Sequence, residues 1–428
     1  MRFMATRILG WTLLAGAAAP AAAQHVTYYR DIAPILQRSC QECHRPGEVG
    51  PMSLMSYDDA RRSASRIAEA LTIGKMPPWY ADPGVNHFAN DRTLPPDQIA
   101  RIMAWIDAGT PPGDPKDGPP PRVFADGWQI GKPDLVVELP NEFEVPAHGM
   151  VEYQFVVLPL GFAEDKWVQA FEVRPGNRSV VHHATAVLRA PGSSWLSEAP
   201  PGTFRPKRGE MIDPTGLSMS AGSLGAYTPG QPPVQYKPGR AMYVKAGSDL
   251  VLEMHYTPNG KPAKDRTKVG FIFAKERPAE MVRRFTIVNT RFEIPPGAPN
   301  YQVDASATLR TDMKLVALHT HMHLRGKASD FRVVTPDGQS RPLLRVSHYD
   351  PQWQLRYVLA DELDLKYGTR IDASWWFDNS RHRNNPDPRA IVRWGDQQWE
   401  EMALAGFEVV VPLGTAGRGG LITRASGR

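Results

Sequence analysis

The sequence predicts a multidomain α plus all-β chain: a small helical unit followed by two tandem antiparallel β-sandwiches. Three observations predict it. Apolar residues at helical spacing are confined to the stretch before residue 110. A Pro/Gly segment, "GTPPGDPKDGPPPRV" at 109–123, comes next. Beyond it lie short alternating runs such as "DLVVEL", "VEYQFVVL", "DLVLEMHY", "KVGFIFA" and "DFRVVTP", separated by Pro, Gly and Asn. With 42% apolar and 22% charged residues the chain has the composition of a folded protein, and its 41 prolines and 36 glycines suit turns and short strands. About 300 residues exceed one sandwich, which implies two. "RFTIVNTRFEIPPGAPNY" at 284–301 is the expected junction, dividing the β part into 124–284 and 285–428.

Residues 1–23 read as a cleavable export signal. Arg2 and Arg7 form the charged start, "ILGWTLLAGAAA" the apolar segment, and the small residues ending at Ala23 the cleavage site. No other stretch is long and apolar enough to span a bilayer. The mature protein is therefore expected to be periplasmic or secreted, without stable membrane insertion. The net charge of +5 is small for 428 residues and the basic residues are scattered, so nucleic acid is a poor partner.

The helical unit is expected over 24–110, and 111–123 as its linker. "YYRDIAPILQRS" reads as a short helix. "SYDDARRSASRIAEALTIG" opens with Ser56 and Asp59 in capping-box-like spacing. "PPDQIARIMAWIDAGTPP" places Ile99, Ile102, Met103 and Ile106 on one helical face and ends at Gly109. The only cysteines, Cys40 and Cys43, lie in "CQECH", which matches C-x-x-C-H, the attachment motif of a c-type haem. Two thioethers would hold the porphyrin, and His44 would ligate the iron. A redox C-x-x-C leaves the adjacent histidine without a role, and a zinc site lacks a second cysteine pair. The helical plan resembles a small class I cytochrome c. Met52, Met55, Met76 and Met103 are candidate sixth ligands. Met76 is favoured because Pro77 and Pro78 stiffen its loop, with Met52 second.

Six of the twelve histidines lie in three short motifs. His182 and His183 are adjacent in "SVVHHATAVL", His255 lies in "LEMHYTPNG", and His319, His321 and His323 form "HTHMHLRGK". Residues two apart on a strand share a face, so an H-x-H pair can chelate one metal. Imidazole suits copper, zinc, iron and nickel alike. Met402, in "WGDQQWEEMALAGFEVVV", reads by itself as a core residue.

In that order, "VHHA", "MHYTPNG", "HMHLRGK" and "WEEMAL" resemble the copper type II, ascorbate-dependent monooxygenases, over roughly 125–415. That resemblance implies two tandem antiparallel, jelly-roll-like β-sandwiches with one copper each. His182, His183 and His255 match the family's electron-transfer copper. The family has a glycine five residues after the first histidine of its H-x-H pair, and Gly326 is five after His321. His321, His323 and Met402 therefore match the oxygen-binding copper, with His319 left as a polar neighbour. Adjacent histidines on a regular strand point to opposite faces, so sharing one metal implies a local irregularity at His182–His183.

The resemblance further implies O2-dependent hydroxylation of an aliphatic C–H, with one oxygen atom going to the alcohol and one to water. One electron would come from each of two copper ions across a cleft between the sandwiches. The covalent haem would take the place of the family's usual ascorbate, passing on electrons from an external donor. His319 stands where the peptide-hydroxylating enzymes have an arginine. Leu404 and Gly406 stand where those enzymes have Asn and Tyr, so the expected substrate is an unknown small organic molecule rather than a glycine-extended peptide. The family's disulfides are absent too. The alternative is a non-catalytic haem/copper electron-transfer or copper-binding protein on the same scaffold. A zinc hydrolase fits Met402 poorly, and a histidine brace at His25 would need cleavage immediately before it.

Overall fold

Residues 25–124, 127–206, 222–415 and 420–424 are described by the computed structural model; the export signal at 1–23 lies outside them. A single π turn, Tyr28–Ile32, runs into α1 (Ala33–Ser39). The side chain of Ser56 caps α2 (Tyr57–Arg62) by accepting the Asp59 N–H at 3.1 Å, and a turn at Ser63 leads into α3 (Ala64–Thr72). Pro96 starts α4 (Pro96–Asp107), and Gly109, at φ +79°, ends it. Tyr28, Ile32, Leu36, Leu54, Ile67, Ile102 and Trp105 form the core of this unit. The Pro/Gly segment is strapped onto it. Pro111 accepts from the Tyr28 N–H and the Trp105 indole, each at 3.0 Å, and Pro112 accepts from the Tyr29 N–H at 3.1 Å.

The strands of the first sandwich are β1 (Leu135–Glu138), β2 (Phe143–Val145), β3 (Gln154–Pro159), β4 (Lys166–Arg174), β5 (Val181–Arg189) and β6 (Arg205–Pro206), then β7 (Ser223–Tyr227), β8 (Val234–Gln235), β9 (Arg240–Val244), β10 (Asp249–Tyr256), β11 (Ala263–Asp265) and β12 (Lys268–Phe273). The second has β13 (Glu280–Asn289), β14 (Glu293–Ile294), β15 (Tyr301–Leu309), β16 (Met313–His321), β17 (Gly326–Val334) and β18 (Ser340–Val346), then β19 (Arg356–Leu365), β20 (Arg370–Phe377), β21 (Val392–Arg393), β22 (Ala403–Pro412) and β23 (Ile422–Arg424).

The mostly-β architecture agrees with the alternating pattern read from the sequence. What the pattern does not contain is how the sandwiches join. One nine-stranded sheet, ordered β1-β12-β4-β9-β13-β22-β16-β19 with β8 on β4, runs through both. The seam is parallel: Glu280 pairs with Arg240 and Met281 with Ala241. A five-stranded sheet, β6-β3-β10-β5-β7, covers the first half, and another, β18-β17-β20-β15-β23, covers the second. Val282 and Val410 of the second half are buried in the core of the first, with Phe171, Leu252, Met254 and Phe271.

The N-terminal region reaches the second sandwich. Phe88 bridges Leu359 on β19, and the Ala89 N–H donates to Val358 at 2.8 Å. Trp79 and Phe88 pack on Tyr357 with ring centroids 5.1 and 5.5 Å away. The edge strand of the large sheet is thus covered rather than left open.

Candidate metal centres and the cavity they share

Strand alternation sorts β5 and β10 into two faces. Ala184, Ala186, Leu252 and Met254 enter the first core, while Val187 and Val251 face the opposite way. His183 and His255 share the parity of that outer face and are direct partners in the ladder. Beyond them the register slips: Tyr256 pairs with Val181, so His182 is an extra residue in β5. This bulge turns two adjacent imidazoles towards one point. The Nδ1 of His182 lies 3.2 Å from the Nδ1 of His183 and 3.2 Å from that of His255. One ligand atom from each of the three residues lies within 4.8 Å of the others.

Neighbours fix these rings. Tyr153 stacks on His255 with centroids 4.4 Å apart, and its hydroxyl accepts from the Gln398 amide of the second sandwich at 2.5 Å. Burial pushes the His182 imidazole below its ordinary pKa, against an opposing hydrogen bond with the Gln352 backbone. A neutral imidazole is the form that binds metal.

The second cluster stands on β16 and β22. Leu318 and Met322 enter the second core, and His319 and His321 take the opposite face. His321 Nδ1 lies 3.0 Å from Gln354 Oε1, and His323 Nδ1 lies 3.2 Å from the Glu400 carbonyl. Each Nδ1–H donates, which places the lone pair on Nε2. Met402 is 1% exposed and packs with Phe155, Val187 and Val251, on the outer face of β3, β5 and β10. Glu401 ties the two ligand-bearing segments together. Its Oε2 accepts the His323 N–H at 2.8 Å and the Met402 N–H at 3.3 Å; its Oε1 accepts the Arg325 N–H at 2.6 Å. Burial drives this carboxyl up to about 8 despite those donors.

His183, His321, His323 and Met402 all line one cavity of about 190 Å³, bounded by β5, β7 and β10 on one side and β13, β16 and β22 on the other. His319 lines it too, with its Nδ1 3.1 Å from the Leu355 carbonyl. Burial holds that ring below its usual pKa, the Leu355 bond opposes this, and Arg284 adds to the depression. The cavity wall also carries Glu408 between Arg284 and Arg356.

In the helical unit, Cys40 and Cys43 are free thiols at the end of α1. Burial pushes the Cys40 thiol up to about 12 and raises that of Cys43, the reverse of what a redox pair with a stabilised thiolate needs. His44 Nδ1 lies 3.1 Å from the Met52 carbonyl, again leaving the lone pair on Nε2. Met76 precedes Pro77 and Pro78, which line a second cavity beside Cys43.

Sequence reasoning missed Tyr153, Gln354 and Glu401. The first two carry no local signal. Glu401 did, since an acid next to a candidate ligand in a buried run must find donors.

No curated protein matches the chain. Among solved structures, the major capsid protein P2 of bacteriophage PM2 is similar at 11% identity, covering 66% of this chain and 100% of its own, with a TM-score of 0.25. The VP2 subviral particle of infectious bursal disease virus is similar at 12%, covering 68% and 75%, with a TM-score of 0.19. Scores this low carry no argument. Residues 278–404, under a third of the chain, match the family model "Copper type II ascorbate-dependent monooxygenase, C-terminal domain". The segment bearing His319, His321, His323 and Met402 is thus similar to the C-terminal domain of a copper-dependent oxidoreductase family.

Proposed function

We propose that the chain is an exported copper-dependent monooxygenase. It hydroxylates an aliphatic C–H of a small organic substrate with O2, using electrons delivered through a covalent haem c. The observation that carries this reading is the cavity lined by His183 of the first histidine cluster together with His321, His323 and Met402. The donor sets suit copper. Three neutral imidazoles, His182, His183 and His255, would hold one ion, and two imidazoles with a thioether, His321, His323 and Met402, favour Cu(I) in the other.

When bound, copper supplies one-electron exchange and O2 binding. The chain supplies the rest. Gln354 and Glu400 hold the His321 and His323 rings in one tautomer, and Tyr153 and the Gln352 backbone hold the His255 and His182 rings. Leu404 and Ala317 give the cavity an apolar wall around an unactivated carbon, while His319 offers an Nε2 lone pair to a substrate hydroxyl or amide. The missing Arg, Asn and Tyr at His319, Leu404 and Gly406 leave no anchor there for a peptide carboxylate. Cys40 and Cys43 would hold the haem, with His44 and Met76 as axial ligands and Met52 as the alternative to Met76.

Copper analysis of the wild type and of Met402→Ile tests the reading. The wild type should carry two copper ions and consume O2 with reductant in a panel of small aliphatic substrates. Met402→Ile should keep the three-histidine copper and haem reduction but lose O2 consumption. Unchanged O2 uptake in the variant would overturn the site assignment. A wild type that binds copper and cycles its haem without consuming O2 would favour a non-catalytic electron carrier.

A further inference from the structure

The histidine-lined cavity has two unlike ends. In the ladder His321 pairs with Leu404, His319 with Gly406, and both Ala317 and Arg284 with Glu408. Strand alternation puts these residues on the cavity face of β13, β16 and β22. Leu404 and Glu408 are four residues apart on β22, which at about 3.4 Å per residue separates them by about 13 Å along the sheet. The metal-ligand end is therefore at Leu404 and the charged end at Glu408, with the bare backbone of Gly406 between them. Arg356 joins the charged end from β19, where it pairs with His319.

Glu408 is shared by Arg284 and Arg356, so this end carries one net positive charge. Gly225, at φ +139°, makes room for Arg284, because a Cβ there would lie 2.8 Å from its Nη1. Donors are left over. Arg356 gives its Nη2 to Glu408, but its buried Nε–H meets no acceptor among the described residues. Thr228, 7% exposed, lines the same cavity, and its Oγ1 has no partner among them either. The turn that Thr228 opens lies close to Arg356: the Gln231 N–H donates to the Thr228 carbonyl at 3.0 Å, and the Gln231 amide donates to the Gln354 carbonyl at 3.3 Å. Unmet buried donors and an unmatched charge both cost free energy, which an anionic acceptor relieves. The other acids of the lining, Glu253 and Asp396, act by their charge on the Tyr153 hydroxyl, beside His255.

We propose that the substrate is a small aliphatic carboxylic acid, held by its carboxylate at Arg356 and Thr228, with its chain lying over Gly406 towards His321 and Met402. The inference rests on the monooxygenase reading above and names its substrate class. The anchor stands apart from positions 319, 404 and 406, which hold no carboxylate-binding group in this chain. A guanidinium N–H to a carboxylate is a charge-assisted bond, stronger than one to a neutral acceptor. His319, the ladder partner of Arg356, is two residues from His321, about 7 Å of strand. The carbon that reaches the metal end is thus several bonds from the carboxylate, and Ala317 and Leu404 give its chain apolar contact.

The test uses the full copper-loaded chain as wild type, Arg356→Gln, Arg356→Lys and Thr228→Val, with copper counts and thermal melts as controls. Anaerobic calorimetry with the copper reduced measures binding of octanoate and of uncharged octanol, since Cu(I) is a poor partner for carboxylate oxygen. An oxygen electrode measures consumption with each. Wild type should bind octanoate at least about 10-fold more tightly than octanol, and Arg356→Gln should cut that preference about 10- to 100-fold. Arg356→Lys keeps a cation against Glu408 but has no Nε–H, so the fold should hold while the preference falls several-fold. Thr228→Val should lower it by less. A wild type without the preference, or Arg356→Lys with the wild-type preference, overturns the anchor. O2 consumed with octanol but not with octanoate overturns the anchor and leaves the monooxygenase reading standing. Octanoate bound with the expected variant effects, but O2 consumed with neither compound, overturns the monooxygenase reading and leaves the anchor standing.

Discussion

Replacing Glu408 with glutamine should destabilise the protein by about 3 kcal/mol at neutral pH. The carboxylate is 5% exposed and lies 2.5 Å from Arg284 Nη2 and 2.5 Å from Arg356 Nη2. Burial alone would push its pKa up, but the two guanidiniums win and hold it at about 2 against an ordinary 4.5. At about 1.36 kcal/mol per pH unit, that displacement corresponds to about 3 kcal/mol. Removing one member of a buried ion pair costs a similar amount, roughly 3–5 kcal/mol. Because the folded pKa is depressed, the contribution is complete above the unfolded value of about 4.5 and is lost as pH falls towards 2. Urea titrations followed by tryptophan fluorescence, for wild type and Glu408→Gln at pH 7 and pH 3, measure it. The gap should be about 3 kcal/mol at pH 7 and about half that at pH 3. A variant as stable as wild type at pH 7, or a gap indifferent to pH, would refute the reasoning.

Glu401→Gln keeps the shape of the carboxylate but replaces one acceptor oxygen with a donor, so the segments bearing His323 and Met402 lose part of their tie. Copper affinity at that site should fall about 10- to 100-fold while the three-histidine site is unchanged, as read by competition with a Cu(I) chelator. Phe88→Ala removes a ring from the second core and should cost about 3–5 kcal/mol. Limited proteolysis should then cut faster between residues 79 and 92, and resistance equal to wild type would mean that the segment is held by its backbone bonds alone. Gly326→Ala would place a methyl 2.5 Å from Met322 Cβ and 2.9 Å from the Tyr349 ring. It should lower the melting temperature by several degrees, with no change if that turn can shift.

Where the chemistry was local, the sequence could be read. Two adjacent histidines need a break in alternation, and the break is a register slip at His255/Tyr256. The H-x-H spacing puts His319 and His321 on one face, as strand geometry requires. Ser56 and Asp59 announce a cap, and the Ser56 side chain makes it. Where a contact depends on distant chain segments, no local period encodes it. The parallel pairing of β9 with β13 joins two short runs that look like ordinary strands by themselves. Phe88 sits in a Pro/Gly/Asn-rich loop, and nothing near it signals burial in the far sandwich. Gln354 and Tyr153 acquire meaning only once the imidazoles they hold have been brought beside them.

The seam between β9 and β13 has a mechanical consequence. Arg240 ion-pairs with Glu280 across it at 2.6 Å, and two valines from one half are sunk into the core of the other. The halves are sutured, with no hinge about which to swing apart like a clamshell. Whatever enters the histidine-lined chamber does so without the two halves parting. The joined sheet, and not a movable hinge, is what sets the width of the chamber.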